Sequence, residues 1–354
     1  MQLALVYEWC SDCYAPAARR SGLLVDPTNS PDRGVVVRRG GSWFSHATYN
    51  RSAARQPVGE NDFYGWAQGF RVVMVGDLKP GALTPAPVAK QAPLPAFTDA
   101  DVRRIAALPA AEQVEEVRKE LVRRNPGFDG KVEHKIEDGV VTEIKVVTDK
   151  VKDVAPIRVW SALRVLHLYA TQVGDAGLAD LKDCKELTEL WLGGLTKVSD
   201  AGLAHFKDCK NLTDLHVEAT QVGDVGLAHM KDCKSLSLLD LGATRVSDAG
   251  LVHLKDFKAL TQLRLGNTRV TDAGLAHLKG TPLRALWIDH TGITDLTPLQ
   301  GMPLEDIRLT PKNITQGLDI LRNMKSIKSI GISWDQFWPA ADFWERYDKG
   351  EFKE

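Results

Sequence analysis

The pattern L-x-x-L-x-L recurs eight times in the C-terminal two-thirds of the chain, and this repeat constrains the fold more than any other feature. It begins at Leu163, Leu187, Leu212, Leu236, Leu260, Leu283, Leu304 and Ile327. Successive starts lie 21 to 25 residues apart. Leucine-rich repeats have this period, and their units stack because one unit cannot bury its apolar face alone. The repeat therefore predicts an α/β solenoid of parallel strands and short helices over residues 148–335.

The middle residue of each L-x-L strand is predicted to point to the concave face of the solenoid, while both leucines point inward. Along the eight strands this position holds His167, Trp191, His216, Asp240, Arg264, Trp287, Arg308 and Gly331. We call the first seven of these residues the concave row. Exposed tryptophans are costly unless something covers them, and tryptophan and arginine are favoured at binding hot spots. The concave row is the predicted binding site for a protein or an extended peptide, and a solvated face without a partner is the alternative.

Four acidic residues flank the concave row on the same strands. These are Glu189, Asp214, Glu218 and Asp289. Because these residues make the neighbourhood acidic while Arg264 and Arg308 lie toward one end of the row, the surface is predicted to suit a partner of mixed charge rather than a polyanion.

Two further polar positions recur with the repeat. A threonine follows most strands by three residues, at Thr171, Thr220, Thr244, Thr268 and Thr291, with Thr196 displaced by one inserted residue. Its hydroxyl is predicted to satisfy buried backbone groups at the turn. An aspartate precedes each short helix, at Asp175, Asp200, Asp224, Asp248 and Asp272, and is predicted to be its N-cap.

Cysteine and histidine also recur, and for both we considered metal chemistry. The cysteines are Cys184, Cys209 and Cys233, and the next unit has Phe257 in their place. This exchange indicates a buried apolar pocket with structural thiols. The histidines are His205, His229, His253 and His277. They are predicted to lie on the helix surface, because no thiol or carboxylate of the same period completes a coordination shell. The sequence therefore predicts no metal site and no cofactor.

The chain outside the repeats divides into four segments. Residues 76–96 contain five prolines and are predicted to form a linker. Residues 97–147 are predicted to form a cap of helices and a β-hairpin that turns at Asp138-Gly139. Residues 336–354 are predicted to form a C-terminal capping helix. Residues 1–75 do not repeat and are rich in arginine and aromatic residues.

Residues 1–75 resemble the C-terminal part of the formylglycine-generating enzyme, or sulfatase-modifying factor, family. The resemblance rests on VYEWCSD from Val6, RRGGSW from Arg38, NRSAAR from Asn50 and GFRVV from Gly69. It implies a partial C-type-lectin-like fold, because the chain begins where the family's domain is already well advanced. Residues Arg51, Arg55 and Arg71 are predicted to be paired structural arginines, with ligand contacts as the alternative.

The resemblance also bears on catalysis. Oxidases of this family bind copper through two cysteines, and Ser45 and Asn50 stand at those places here. A hydroxyl and an amide are poor ligands for soft Cu(I), so no catalysis is expected. The pair Cys10 and Cys13 has C-x-x-C spacing but no second pair, which is weak evidence for metal or redox function.

Residues 97–354 resemble the leucine-rich-repeat extensions that bacterial chains append to formylglycine-generating-type or kinase domains. The sequence therefore predicts a non-enzymatic, bacterial protein-binding module. The alternative is a partial gene model or remnant of a formylglycine-generating-type enzyme, with non-heme iron or copper, whose repeats recruit substrate.

Charge and composition narrow the partner class. The chain has 45 basic and 46 acidic residues, which give a formal net charge of −1. No net field would hold a polyanion or an anionic membrane, so neither nucleic acid nor membrane is expected as a partner. The first residues lack the basic region of a signal peptide, and a cytoplasmic location with reduced thiols is predicted.

Overall fold

A computed structural model describes residues 94–352 together with the backbone of three strands nearer the N-terminus. The chain divides into two compact units, Met1–Gln91 and Ala92–Glu354. In the first unit, strands β1 (Tyr7–Cys13), β2 (Val35–Gly40) and β3 (Arg55–Gly59) form an antiparallel sheet with β2 in the centre. The predicted arginine roles and the Cys10, Cys13, Ser45 and Asn50 side chains lie outside the described residues.

The second unit is built on an eleven-stranded sheet whose strands follow chain order. The first two strands are β4 (Glu133–Glu137) and β5 (Val140–Lys145). The following strands are β6 (Val165–His167), β7 (Glu189–Trp191), β8 (Asp214–His216), β9 (Leu238–Asp240), β10 (Gln262–Arg264), β11 (Ala285–Trp287), β12 (Asp306–Arg308), β13 (Ser329–Gly331) and β14 (Phe337–Pro339). Strands β5 to β13 are parallel, and β4 and β14 close the two ends in the antiparallel direction.

The parallel strands pair in the register that the leucine pattern predicts. Leu215, Leu239 and Leu263 are paired across three neighbouring strands and are fully buried. A one-residue slip would move every inward leucine to the solvent face, so burial fixes the register although each strand has only three residues. The predicted solenoid architecture is confirmed.

Helices lie on the return paths of the repeats and in the segments at the two ends of the solenoid. The α-helices are α1 (Asp99–Ala106), α2 (Ala110–Arg124), α3 (Asp175–Leu178), α4 (Asp200–Leu203), α5 (Asp224–His229), α6 (Asp248–Leu251), α7 (Asp272–Ala276), α8 (Leu318–Asn323) and α9 (Ala340–Asp348). The 3-10 helices are Ala155–Val159, Ala179–Leu181, Ala204–Phe206, Met230–Asp232, Val252–Asp256, Thr297–Leu299 and Pro311–Asn313. Apolar residues of the return path, such as Leu203 and Phe206, share one buried core with the strand leucines.

Both ends of the solenoid are covered. At the N-terminal end the predicted hairpin forms, with Asp138 and Gly139 at φ 50° and 78°, and β5 pairs in parallel with the first repeat strand. At the C-terminal end α9 buries Phe343 completely. The predicted capping helix is preceded by an unpredicted strand, β14, which pairs antiparallel with β13 and satisfies one side of its open edge.

The threonine ladder forms with one correction. Thr220, Thr244, Thr268 and Thr291 are buried, and each hydroxyl donates to the carbonyl three residues earlier at 2.6 Å. The sequence alignment was wrong in the second unit, where the buried position belongs to Leu195 and Thr196 is exposed. Gly194, before Leu195, has a positive φ of 73°, like the residue before each threonine, so the extra residue of this unit lies after Leu195.

The recurring aspartates are not N-caps, contrary to the prediction. Each is the first helical residue, and the residue before it is the cap. The Asp224 carboxylate instead reaches the next unit, where it accepts the Ser247 N–H at 2.8 Å and its hydroxyl at 2.7 Å. Equivalent bonds join Asp175 to Ser199 and Asp248 to Thr271. The aspartates therefore connect neighbouring repeats. The sequence of a single repeat does not predict this contact.

Replacing Asp224 with alanine is expected to lower the free energy of unfolding by about 2 kcal/mol, because two hydrogen bonds to a charged group between repeats are lost. Urea denaturation followed by circular dichroism measures this loss. The matched control is Asp232→Ala, at an exposed aspartate of the same unit, which should change stability by less than about 0.5 kcal/mol. Equal losses in the two variants would contradict the inter-repeat role.

Candidate functional site

The seven residues of the concave row lie side by side on β6 to β12. Strand pairing places His167 beside Trp191, Trp191 beside His216, and His216 beside Asp240. It continues from Asp240 to Arg264, then to Trp287 and Arg308. The last neighbour, Gly331, adds no side chain to this line. The structure therefore brings all the sequence-predicted site residues together in one continuous line.

The N-terminal part of the row is an aromatic stack. The Trp191 ring lies between His167 and His216, with ring centroids 4.6 and 4.0 Å away. His167 Nε2 lies 2.8 Å from a Glu189 carboxylate oxygen. Burial lowers the pKa of His167, and this effect outweighs the opposing influence of Glu189. Trp191 is only partly exposed, so its neighbours already cover much of the ring that the sequence suggested was exposed.

The centre of the row is buried and polar. His216 is 5% exposed and Asp240 is 7% exposed. The Asp240 carboxylate accepts the Gly242 N–H at 3.0 Å and an Arg264 N–H at 2.9 Å. His216 Nδ1 lies 3.9 Å from Asp240 Oδ2. Burial lowers the pKa of His216, so its imidazole is neutral at pH 7.

The C-terminal part of the row is a cation–aromatic sandwich. The Arg264 and Arg308 guanidinium carbons lie 4.0 and 4.2 Å from the centre of the Trp287 ring. The Trp287 indole N–H donates to Asp306 at 2.7 Å. Arg308 is buried and donates to the Ser333 and Trp334 carbonyls at 2.7 and 2.6 Å. These contacts fix both faces of Trp287 and tie the row to the C-terminal segment.

The surface around this sandwich offers further contact area. A depression of about 350 Å³ is lined by Thr261, Gln262, Arg284, Ala285, Trp287, Glu305, Asp306 and Arg308. Nearby in the chain, Trp334 is 73% exposed and Phe337 is 53% exposed. The Phe337 ring also lies 4.5 Å from the Arg308 guanidinium. Exposed aromatic groups beside a fixed cation are typical of a surface that binds a partner.

Glu218 belongs to the centre of the row, although the sequence indicated only that it flanks the row. It stands two residues after His216 and therefore on the same face of the strand. A Cβ atom at Gly193 would lie 2.1 Å from Glu218 Oε1, so the glycine leaves room for this carboxylate. Burial, with the nearby Asp240 charge, raises the pKa of Glu218 to about 7. The sequence does contain a signal for this position. Glu218 follows His216 in H-x-E spacing, and the equivalent position one unit earlier is Gly193.

The recurring cysteines and histidines occupy the places that the sequence predicted. Burial raises the pKa of Cys184 and Cys209 to about 12 and that of Cys233 to about 11. These thiols stay protonated at pH 7, and Phe257 is buried in the equivalent place. Three of the histidines are partly exposed and His277 is exposed. In residues 94–352, no helix is long and apolar enough to cross a membrane.

Comparison with known families bears on the first unit. Residues 5–75 match the family model described as the sulfatase-modifying factor enzyme 1-like domain. The strand register of residues 94–352 is that of stacked leucine-rich repeats. The chain joins a leucine-rich-repeat solenoid to a sulfatase-modifying-factor-type segment. No curated protein matches the chain.

Several solved structures resemble the chain. An internalin C2 from Listeria monocytogenes str. 4b F2365 is 21% identical, with a TM-score of 0.47 over 64% of this chain and 98% of that one. An internalin, InlF, from the same strain is 20% identical, with a TM-score of 0.44 over 64% of this chain and 72% of that one. A plant ice-binding protein is 14% identical, with a TM-score of 0.43 over 58% and 76% of the two chains.

Replacing Glu218 with glutamine is expected to stabilise the protein at high pH. The folded-state pKa of Glu218, about 7, lies above the ordinary value of 4.5. Between pH 4.5 and pH 7 the folded protein therefore keeps a proton on this carboxyl group that the unfolded chain has released. The contribution of this group to stability is therefore present at low pH and is lost as pH rises from 4.5 to 7. Glutamine keeps the shape without the charge, so Glu218→Gln should gain about 2 kcal/mol at pH 8 and little at pH 4.5.

Denaturation at pH 4.5 and at pH 8 tests this expectation. The other titratable or charged groups around Glu218 are Asp240, Arg264, His216 and Tyr169. The exposed Glu186 provides the control variant Glu186→Gln, which should show no pH-dependent gain. An equal or smaller stability for Glu218→Gln at pH 8 would show that its carboxylate is not destabilising.

Proposed function

We propose that this chain is a recognition module whose concave row binds a protein or an extended peptide, and that it catalyses no reaction itself. The supporting observation is the unbroken in-register line of seven aromatic and charged side chains on β6 to β12. Six strand-to-strand steps of about 4.8 Å give a line of about 29 Å. This length suits a macromolecular surface better than a small metabolite.

The chemistry of the row favours a partner of mixed charge. The centre has the carboxylates of Glu218 and Asp240, while Arg264 and Arg308 flank Trp287 toward the other end.

Stacking also prepares the row for binding. Both tryptophan rings are held between neighbouring side chains, and Arg308 is held by two backbone carbonyls. Side chains that are already ordered lose little conformational entropy when a partner arrives, and this raises affinity for a given contact area. The row therefore offers fixed anchors rather than flexible contacts.

An enzyme of the formylglycine-generating type, with repeats that recruit substrate, is the rival proposal. The family match over residues 5–75 favours it. The presence of Ser45 and Asn50 at the expected copper-ligand places opposes it, because neither provides a thiolate. We favour the binding module, acting in a reducing compartment such as the cytoplasm, where the buried thiols remain reduced.

Alanine at either tryptophan is expected to weaken partner binding by about 1 to 3 kcal/mol, or about 5- to 150-fold in Kd. A partner is first captured with the full chain, and its affinity for Trp191→Ala and Trp287→Ala is measured by isothermal titration calorimetry. Circular dichroism at the same temperature confirms that each variant is folded. The loss is expected because each indole is an anchor fixed in the concave row.

The helix-side residues His229 and His253 provide the matched controls. His229→Ala and His253→Ala should bind the same partner with unchanged affinity, because they lie away from the strands of the concave row. Normal binding by both tryptophan variants with loss in the histidine variants would move the site to the convex face.

The purified chain is expected to show no copper-dependent oxidation of a cysteine-containing sulfatase peptide. Ser45 and Asn50 cannot provide the pair of thiolates that soft Cu(I) requires. Mass spectrometry of the peptide measures formylglycine production, with free copper in buffer as the control. Turnover in proportion to protein-bound copper would favour the enzyme instead.

A further inference from the structure

Three metal-ligating side chains meet at the centre of the concave row. His216, Glu218 and Asp240 each offer a ligand atom, and these atoms lie within 4.8 Å of one another. His216 and Glu218 stand two residues apart on one strand face, and Asp240 is paired with His216 on the next strand. The fold therefore assembles the cluster from two adjacent repeats.

Part of the hydrogen-bonding capacity of this cluster is unused. Within residues 94–352 neither nitrogen of the His216 ring makes a hydrogen bond, although the residue is 5% exposed. Glu218 Oε2 is buried and also lacks a hydrogen-bond partner there. Buried polar atoms in folded proteins nearly always have a partner. The open lone pairs of the His216 imidazole and of Glu218 Oε2 are those that a cation would accept.

Neighbouring groups hold the three side chains in place. The Gly242 N–H and Arg264 orient the Asp240 carboxylate, and the Trp191 ring packs against the His216 imidazole. Gly193 leaves the space that the Glu218 carboxylate occupies. Metal ligands are commonly fixed by such outer contacts, and removing them lowers metal affinity. The positive charge of Arg264 disfavours a bound cation, but the two carboxylates of the cluster outnumber this single positive charge.

We propose that His216, Glu218 and Asp240 form a binding site for a divalent transition-metal ion, with Zn²⁺ as the best match. One imidazole and two carboxylates are suitable zinc ligands, whereas Ca²⁺ and Mg²⁺ take oxygen ligands. Tetrahedral zinc requires donor atoms about 3.3 Å apart, so the side chains close slightly around the ion. Three protein ligands leave one coordination position for water or a group of a bound partner.

Zinc titration of the metal-free full chain against a chromophoric chelator tests the site. One zinc equivalent is expected for the wild-type chain, and His216→Gln and Glu218→Gln should lose it. Gly193→Ala keeps all three ligands but should lower affinity about 10- to 100-fold, because its methyl group displaces the Glu218 carboxylate. The control is Gly266→Ala, where the added methyl group meets Asp289 outside the cluster. His229→Gln controls for histidines on the helix surface.

Cobalt spectra separate this cluster from the Cys10 and Cys13 thiols. A nitrogen and oxygen ligand set gives only weak visible bands, whereas cysteine ligands add a strong thiolate-to-metal charge-transfer band in the near ultraviolet. Weak visible bands that disappear in Glu218→Gln support the site. This holds even if a second equivalent of cobalt binds to the thiols. Absence of zinc binding, or an unchanged number of equivalents in both His216→Gln and Glu218→Gln, overturns it. Because Glu218→Gln is expected to be stabilised at pH 8, unfolding does not explain a loss there.

Discussion

The second unit depends on the burial of paired leucines between successive repeats. Each parallel repeat strand has only three residues, too few for backbone hydrogen bonds alone to specify alignment. Leu215, Leu239 and Leu263 pair with one another and are fully buried, so a slipped strand would expose its leucines to water. The same burial forces the residue between each leucine pair outward at a constant place. The concave row is thus a direct consequence of core packing.

Recurring threonine and aspartate side chains add hydrogen bonds to the packing of the leucines. Buried threonine hydroxyls satisfy carbonyls where the chain leaves β8 to β11, and aspartates bond the backbone of the following unit on the return path. Glycine next to these aspartates is required by space, since a Cβ at Gly250 would lie 2.5 Å from Asp224 Oδ1. The recurring threonines of these units and the recurring aspartates therefore satisfy backbone groups that stacking would otherwise bury without a partner.

The side chains of the concave row interact mainly with the neighbouring repeat. The Trp191 ring stacks between two histidines, and Trp287 is held between two arginines. Such contacts join residues about 24 positions apart in the chain, at the spacing between strands of roughly 4.8 Å. The proposed recognition surface and the proposed metal site share this origin, because His216 and Asp240 are brought together by the strand register and not by local sequence.

The sequence by itself determined the solenoid, its α/β class, the hairpin cap, the buried cysteines and the seven members of the concave row, because a strict period leaves few ways to bury the leucines. It also indicated the sulfatase-modifying-factor-type segment, which the family match over residues 5–75 supports. Only the tertiary structure decided which neighbours cover the tryptophans, that Leu195 and not Thr196 takes the buried place, and that the aspartates join successive repeats. It likewise decided that Glu218 lies in the space left by Gly193. These outcomes depend on side-chain contacts between neighbouring units. A periodic pattern predicts the structure of each unit, but it does not predict which side chains of the next unit it contacts.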